Sequence, residues 1–219
     1  MIRLCWLFPE HLNLNGDGGN IQVLSFRMRE YGINCSVDEV AAGSEIPEAD
    51  FYLLGHGSRA AWANLARNKY FESRISGIVS SGKLLLAVAS GADFIYRLSN
   101  IKQTAVGSEL NPEALRPEGV ALGAPSDLGA GTRVSKFTTV QLGAQSVSGY
   151  VNTTSTHPVI ARESNLLLTY LHGPVLAKNP ELADSLISEL SSQRLEKTDA
   201  LERLDAFALS AVQVGQAQR

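Results

Sequence analysis

Apolar residues come along this chain in short blocks whose spacing changes from block to block. "IRLCWLF" (2–8) is apolar except for Arg3, which predicts a strand. After the polar, glycine-rich "PEHLNLNGDGG", residues Ile21, Leu24, Met28 and Tyr31 recur at three- and four-residue intervals, which predicts a helix over 20–31. "NCSVDEV" (34–40) and "DFYLLG" (50–55) read as two more short strands. An alanine-rich helix is expected to start near Ser58, whose hydroxyl can cap it. "KLLLAVA" (83–89) is then almost wholly apolar, as strands buried on both faces are. Strands alternating with helices predict an α/β fold: a three-layer, mostly parallel, doubly wound sheet.

Beyond Ser99 the texture shifts. "RVSKFTTVQL" (133–142) and "QSVSGYVNT" (145–153) alternate and are rich in Val, Thr and Ser, which adds antiparallel or edge strands to the expected sheet. "NLLLTYLHG" (165–173) reads as one buried strand ending in His172. "NPELADSLISEL" starts a helix with Asn179 as N-cap and Pro180 in the first position. From Glu196 onward Leu201, Leu204, Ala208 and Ala211 share one helical face. The expected division is therefore a body over 1–195 and a helical tail over 196–219, its stripe packed on the body or on a partner.

Composition narrows the class. The 219 residues are 44% hydrophobic and 19% charged, enough for a substantial core. A formal charge of −3 offers no basic field for nucleic acid or acidic lipid. No apolar run reaches the roughly 18 residues that span a bilayer, and "MIRLCWLFP" does not read as a leader. The two cysteines, Cys5 and Cys35, sit in strand-like segments and read as buried, reduced thiols. The expectation is a soluble, cytoplasmic protein without nucleic-acid partner or membrane insertion. His11, His56, His157 and His172 are scattered without metal-ligand spacing, and "NGDGG" lacks the Lys-Ser/Thr of a P-loop. Neither a metal nor a cofactor is expected.

Ligands of open α/β sheets sit beyond the carboxyl ends of the strands, and three such ends stand out: "LLGHGSR" (53–59), "LAVASGAD" (86–93) and "TYLHGPVLAKNP" (169–180). The second has the shape of a nucleophile elbow, a strand turning sharply into a helix, yet its apex carries only the methyl group of Ala89. Together with "LFPEHLNLNGDGGNI" (7–21) these stretches resemble class I glutamine amidotransferases of the CobB/CobQ-like branch, and most of all its GatD-type subunits. The resemblance covers about residues 4 to 190. It implies a glutaminase supplying ammonia to a MurT-like, Mur-ligase-family partner that amidates the D-glutamate of lipid II, through attack of an elbow cysteine on glutamine.

Residue by residue, the resemblance places Ala89 at the nucleophile position and His172 at the catalytic histidine. Gly55, His56 and Gly57 fall in the oxyanion loop, where His56 replaces a glycine, and Ser90 and Gly91 follow the missing nucleophile. Asn152 lies in "GYVNTT", where Val151 and Thr153 replace an acidic residue and a histidine of the family pattern. Because Ser90, Ala92 and Asp93 have changed along with Ala89, the elbow reads as drift after loss of the chemistry. Three functions follow: a glutaminase-deficient partner of a MurT-like ligase, an active amidotransferase binding glutamine, or a stand-alone binding module.

Overall fold

The continuous apolar blocks pair side by side, because only a strand flanked by strands and covered on both faces can bury such a sequence. The computed structural model describes residues 1–105 and 132–217, with side chains for 1–98 and 132–217. In chain order the elements are β1 (Ile2–Leu7), α1 (Gly19–Glu30), β2 (Cys35–Val40), β3 (Phe51–Leu54), α2 (Arg59–Leu65), α3 (Phe71–Ser80), β4 (Leu84–Val88) and α4 (Ser90–Ala105). There follow β5 (Val134–Leu142), β6 (Gln145–Thr153), β7 (Ile160–Glu163), β8 (Leu166–Thr169), β9 (Leu171–His172), α5 (Val175–Lys178), α6 (Pro180–Ser191) and α7 (Asp199–Ala217).

The main sheet runs in the order β2-β1-β3-β4-β8-β7. The first five of these strands are parallel and β7 is antiparallel on the edge. The first helical crossover leads outward from β1 to β2, the helix-free link from β2 to β3 skips back past β1, and the next helical crossover connects β3 to β4 in the opposite direction from the first. Right-handed crossovers of opposite direction put their helices on opposite faces, giving the three layers of a doubly wound α/β fold. The strand order is that of flavodoxin-like sheets. Every residue of β3, β4 and β8 is buried. On one face α1 packs with α5, α6 and α7, and α2, α3 and α4 meet through the rings of Trp62, Phe71 and Phe94.

The textural change beyond residue 99 corresponds to a second, antiparallel sheet, β5-β6-β9. Its hairpin closes between Leu142 and Gln145, with Gly143 at φ +59°, the conformation that a two-residue turn demands. Here the sequence expectation needs correction. Residues 165–173 are not one strand: β8 pairs with β4 and β7, and β9 pairs with β6 of the other sheet. Tyr170 makes the switch, its N–H turned to the Val159 carbonyl at 2.8 Å. Its hydrophobicity resembles that of its neighbours, so the pattern hid the break.

Two further differences are local. Asn179 precedes α6 but makes no side-chain cap. Its buried amide instead receives the Ser148 N–H at 2.7 Å and donates to the Ser148 and Val175 carbonyls at 2.8 and 2.7 Å, stitching α5 and β6 to α6. The expected apolar face of the tail is split, since Leu201 is buried and Leu204 is 43% exposed. A buried ion network fixes where α7 lies. Arg27 of α1 donates twice to Asp184 of α6, at 2.8 and 2.6 Å, and once to Asp205 of α7 at 2.7 Å, while Lys197 pairs with Asp205 at 2.5 Å.

Candidate functional site

The β4 strand ends in the tight turn that its sequence suggested. Ala89 sits at φ +49°, a left-handed conformation unusual for a residue with a Cβ. Its N–H donates to the Thr169 carbonyl at 2.7 Å, and its carbonyl accepts the Asp93 N–H at 2.9 Å. The turn is therefore held from β8 on one side and by the first turn of α4 on the other. A Cβ at Gly91 would come within 2.5 Å of the Leu54 carbonyl oxygen and 2.9 Å of that of Gly55, so glycine is what lets α4 start against the end of β3. Gly55 is as confined, its missing Cβ lying 2.1 Å from the Leu12 carbonyl oxygen, and the missing Cβ of Gly57 would meet the Leu12 side chain at 2.5 Å.

Ser90 is 4% exposed and at the centre of a hydrogen-bond cluster. Its Oγ accepts from Trp62 Nε1–H at 2.7 Å and from the Gly57 N–H at 3.0 Å, which uses both lone pairs. The hydroxyl proton is left for His56 Nδ1 at 2.8 Å or the Gly57 carbonyl at 3.2 Å. His56 Nδ1 is thus an acceptor, and this network assigns its proton to Nε2. A hydroxyl with both lone pairs engaged has none to offer a carbonyl carbon. Ser90 holds the 55–57 loop against α4 and is not placed as a nucleophile.

His172 lies across the cavity seam on β9. Its Nδ1 accepts from the Asn15 amide, and its Nε2–H donates to the Asn152 carbonyl at 3.0 Å. Both ring nitrogens are thus engaged, Nδ1 through its lone pair and Nε2 through its proton. The two imidazoles meet edge to face with centroids 5.4 Å apart. Burial, followed by the repulsion of His172, pushes the His56 pKa down to about 4, and burial lowers that of His172 also. Beneath the same loop lies Asp17, fully buried: one carboxylate oxygen accepts the His56 N–H at 2.7 Å and the other has no partner among the described residues. Burial pushes its pKa up to about 6 against the opposing effect of that hydrogen bond.

These elements enclose a cavity of about 420 Å3, within the size range of small-molecule sites. The elbow contributes Ala89, Ser90 and Asp93, the β1–α1 loop Leu14 and Asn15, β6 Tyr150 and Asn152, and the residue just before β5, Arg133, joins them. Of the residues singled out in the sequence, His56, Ala89, Ser90, Asn152 and His172 line it, and the three glycines Gly55, Gly57 and Gly91 stand behind it as close backbone contacts. Tyr170, between β8 and β9, donates to Asp93 in the first turn of α4, and burial raises the pKa of both. Asn15, Trp62 and Arg133 were not singled out, although Asn15 stands in the quoted opening motif. Among the described residues no three His, Cys, Asp or Glu side chains converge to hold a metal ion, and no helix is long and apolar enough to cross a membrane.

The fold and site together define a doubly wound α/β protein with a strand-elbow-helix cavity whose apex bears no nucleophile. No protein-family model matches the sequence, and no curated protein is similar to it. Among solved structures, PurLQS from Thermotoga maritima is similar at 12% identity and a TM-score of 0.48, covering 89% of this chain and 100% of its own. A glutamine amidotransferase from the same organism is similar at 10% identity and a TM-score of 0.47, over 99% of this chain and 94% of its own. Drosophila melanogaster DJ-1beta follows at 12% and 0.42, over 95% and 98%. At these values the likeness assigns neither a family nor an activity.

Proposed function

We propose that this chain is a glutamine amidotransferase-like subunit that no longer hydrolyses glutamine and acts by binding. The observation that carries the reading is the elbow itself: its backbone is retained around Ala89, a methyl group at the position of attack. Thioester chemistry needs a thiolate and a base, and here the neighbouring hydroxyl of Ser90 is saturated and both nitrogens of His172 are engaged. The partner in this reading is a MurT-like ligase of the Mur-ligase family, in amidation of a peptidoglycan precursor. Its support is the resemblance of residues 7–21 and 170–180 to GatD-type subunits. The test is ammonia release from glutamine by the full chain, alone and with such a ligase, beside Ala89→Cys. No release by the parent chain in either setting is expected, and release would overturn the reading.

A second reading has its own support. The cavity of about 420 Å3 is not filled by the loss of the thiol, and polar groups from both sheets still converge on it. A stand-alone module holding a small polar ligand such as glutamine would show a ligand-dependent rise in melting temperature without partner or turnover.

A further inference from the structure

The tail helix α7 carries two apolar stripes, and only one is used. Leu201, Asp205, Ala208, Val212 and Gly215 face the body; Leu201 is fully buried, and the missing Cβ of Gly215 would meet the Phe137 ring at 2.7 Å. The other stripe, Leu204, Phe207, Ala211 and Val214, recurs at intervals of three, four and three, the a/d spacing of a coiled-coil seam. No described residue covers it: Leu204 is 43%, Phe207 74% and Val214 58% exposed. Residues 206–217 contain no charged side chain at all, whereas the solvent face of a helix ordinarily carries them, and depletion of charge marks interface centres. Phe26 of α1 extends the patch across an apolar groove of about 580 Å3 that Leu204 and Phe207 also line.

The geometry points to a second copy of this chain as the occupant, joined through an antiparallel α7–α7 pair about a two-fold axis. An isologous contact requires the patch to complement itself, and this stripe does so about its midpoint at residue 209. In that register Phe207 of each copy meets Ala211 of the other, and Leu204 meets Val214. A large side chain faces a small one at the first pair and a branched aliphatic faces another at the second. Arg203, which flanks the stripe, then lies beside the uncharged last turn of the opposing helix, and Glu202 points away from it, so no like charges meet. The four apolar side chains Phe26, Leu204, Phe207 and Val214 expose roughly 400 Å2 per copy, about the apolar share of a standard interface of roughly 800 Å2 per partner.

Sedimentation of the full chain tests this. At roughly 100 µM, well above a micromolar dissociation constant, the expected mass is twice that of one chain, falling toward one chain on dilution. Phe207→Glu should abolish pairing while leaving thermal unfolding unchanged at a dilution where the parent is also monomeric, since the side chain is three-quarters exposed in the single chain. Val214→Lys, at the other end of the stripe, should do the same and serves if the first variant folds poorly. A monomeric parent chain at that concentration, or a dimer indifferent to both substitutions, overturns the inference. So does a face that pairs only with a different protein.

Discussion

At residue 89 the backbone keeps a conformation that no side-chain chemistry requires. A left-handed non-glycine residue costs on the order of 1–2 kcal/mol, and the cost of glycine in the unfolded chain is about 0.5–1 kcal/mol. Ala89→Gly should therefore be neutral or stabilising by up to about 1.5 kcal/mol in urea unfolding, and a clear loss would mean that packing of the buried methyl group, 5% exposed, outweighs the backbone cost. Ala89→Cys should remain inactive toward glutamine, because His172 has no unengaged nitrogen to receive the thiol proton. Asp17 and His56 titrate in opposite senses. Asp17 holds its proton more tightly folded than unfolded, about 6 against an ordinary 3.9, so acidification from pH 7 toward 4 adds stability through this group. His56, lowered to about 4, is protonated first in the unfolded chain, so stability is lost over the fall from pH 6.5 to 4. Asp17→Asn should expose the His56 slope, with stability falling on acidification, and His56→Gln the reverse. Equal slopes in both variants in pH-dependent denaturation would refute the pairing. His56, Ala89 and His172 were legible because each ends a recognisable apolar run. Asn15 and Trp62 were not: their roles depend on partners 157 and 28 residues away, and no local pattern records that.

Elements, by contrast, follow the apolar blocks closely wherever burial is uniform. The helix at 20–31 and the Ser58 cap, whose Oγ accepts the Ala61 N–H at 3.2 Å, are both present. The α3 helix also carries its signal, Phe71, Ile75, Ile78 and Val79 falling at helical spacing, whereas the four residues of β7, Ile-Ala-Arg-Glu, do not alternate and offer periodicity nothing to find. The tail helix misled differently. An arc containing Leu201, Leu204, Ala208 and Ala211 is apolar, but the ion network through Asp205 rotates the buried line to 201-205-208. Arg27→Ala should consequently cost less than the roughly 3 kcal/mol of a wholly broken buried pair, since the two carboxylates, only 14% and 11% exposed, keep Lys197 at 3.6 and 2.5 Å, and should loosen α7 before the body. Gly91→Ala tests the elbow: with backbone oxygens at 2.5 and 2.9 Å from the new methyl, a loss above about 2 kcal/mol is expected from the overpacking. A variant as stable as the parent in chemical denaturation would show that α4 can shift away from β3.

For the whole molecule, the buried side chains of both sheets belong to one continuous cluster, running from Leu4 in β1 to Val147 and Val151 in β6 and Ile187 in α6. Fluorescence of Trp6 and Trp62 and far-ultraviolet circular dichroism should then report one coincident unfolding transition. Separated midpoints would reveal two cooperative units. The doubly wound order was legible from strands alternating with helices, whereas the partition into two sheets was not, because Tyr170 is as apolar in pattern as the residues around it. That one residue has a mechanical consequence. Ala89 ends a strand of the six-stranded sheet and His172 lies on the three-stranded one, so the cavity straddles the junction of the two sheets. Any molecule seated there works as a rivet across that junction, and its first effect would be felt in the hairpin: the amides of β5 and β6 would exchange with solvent more slowly, without any new bond to them.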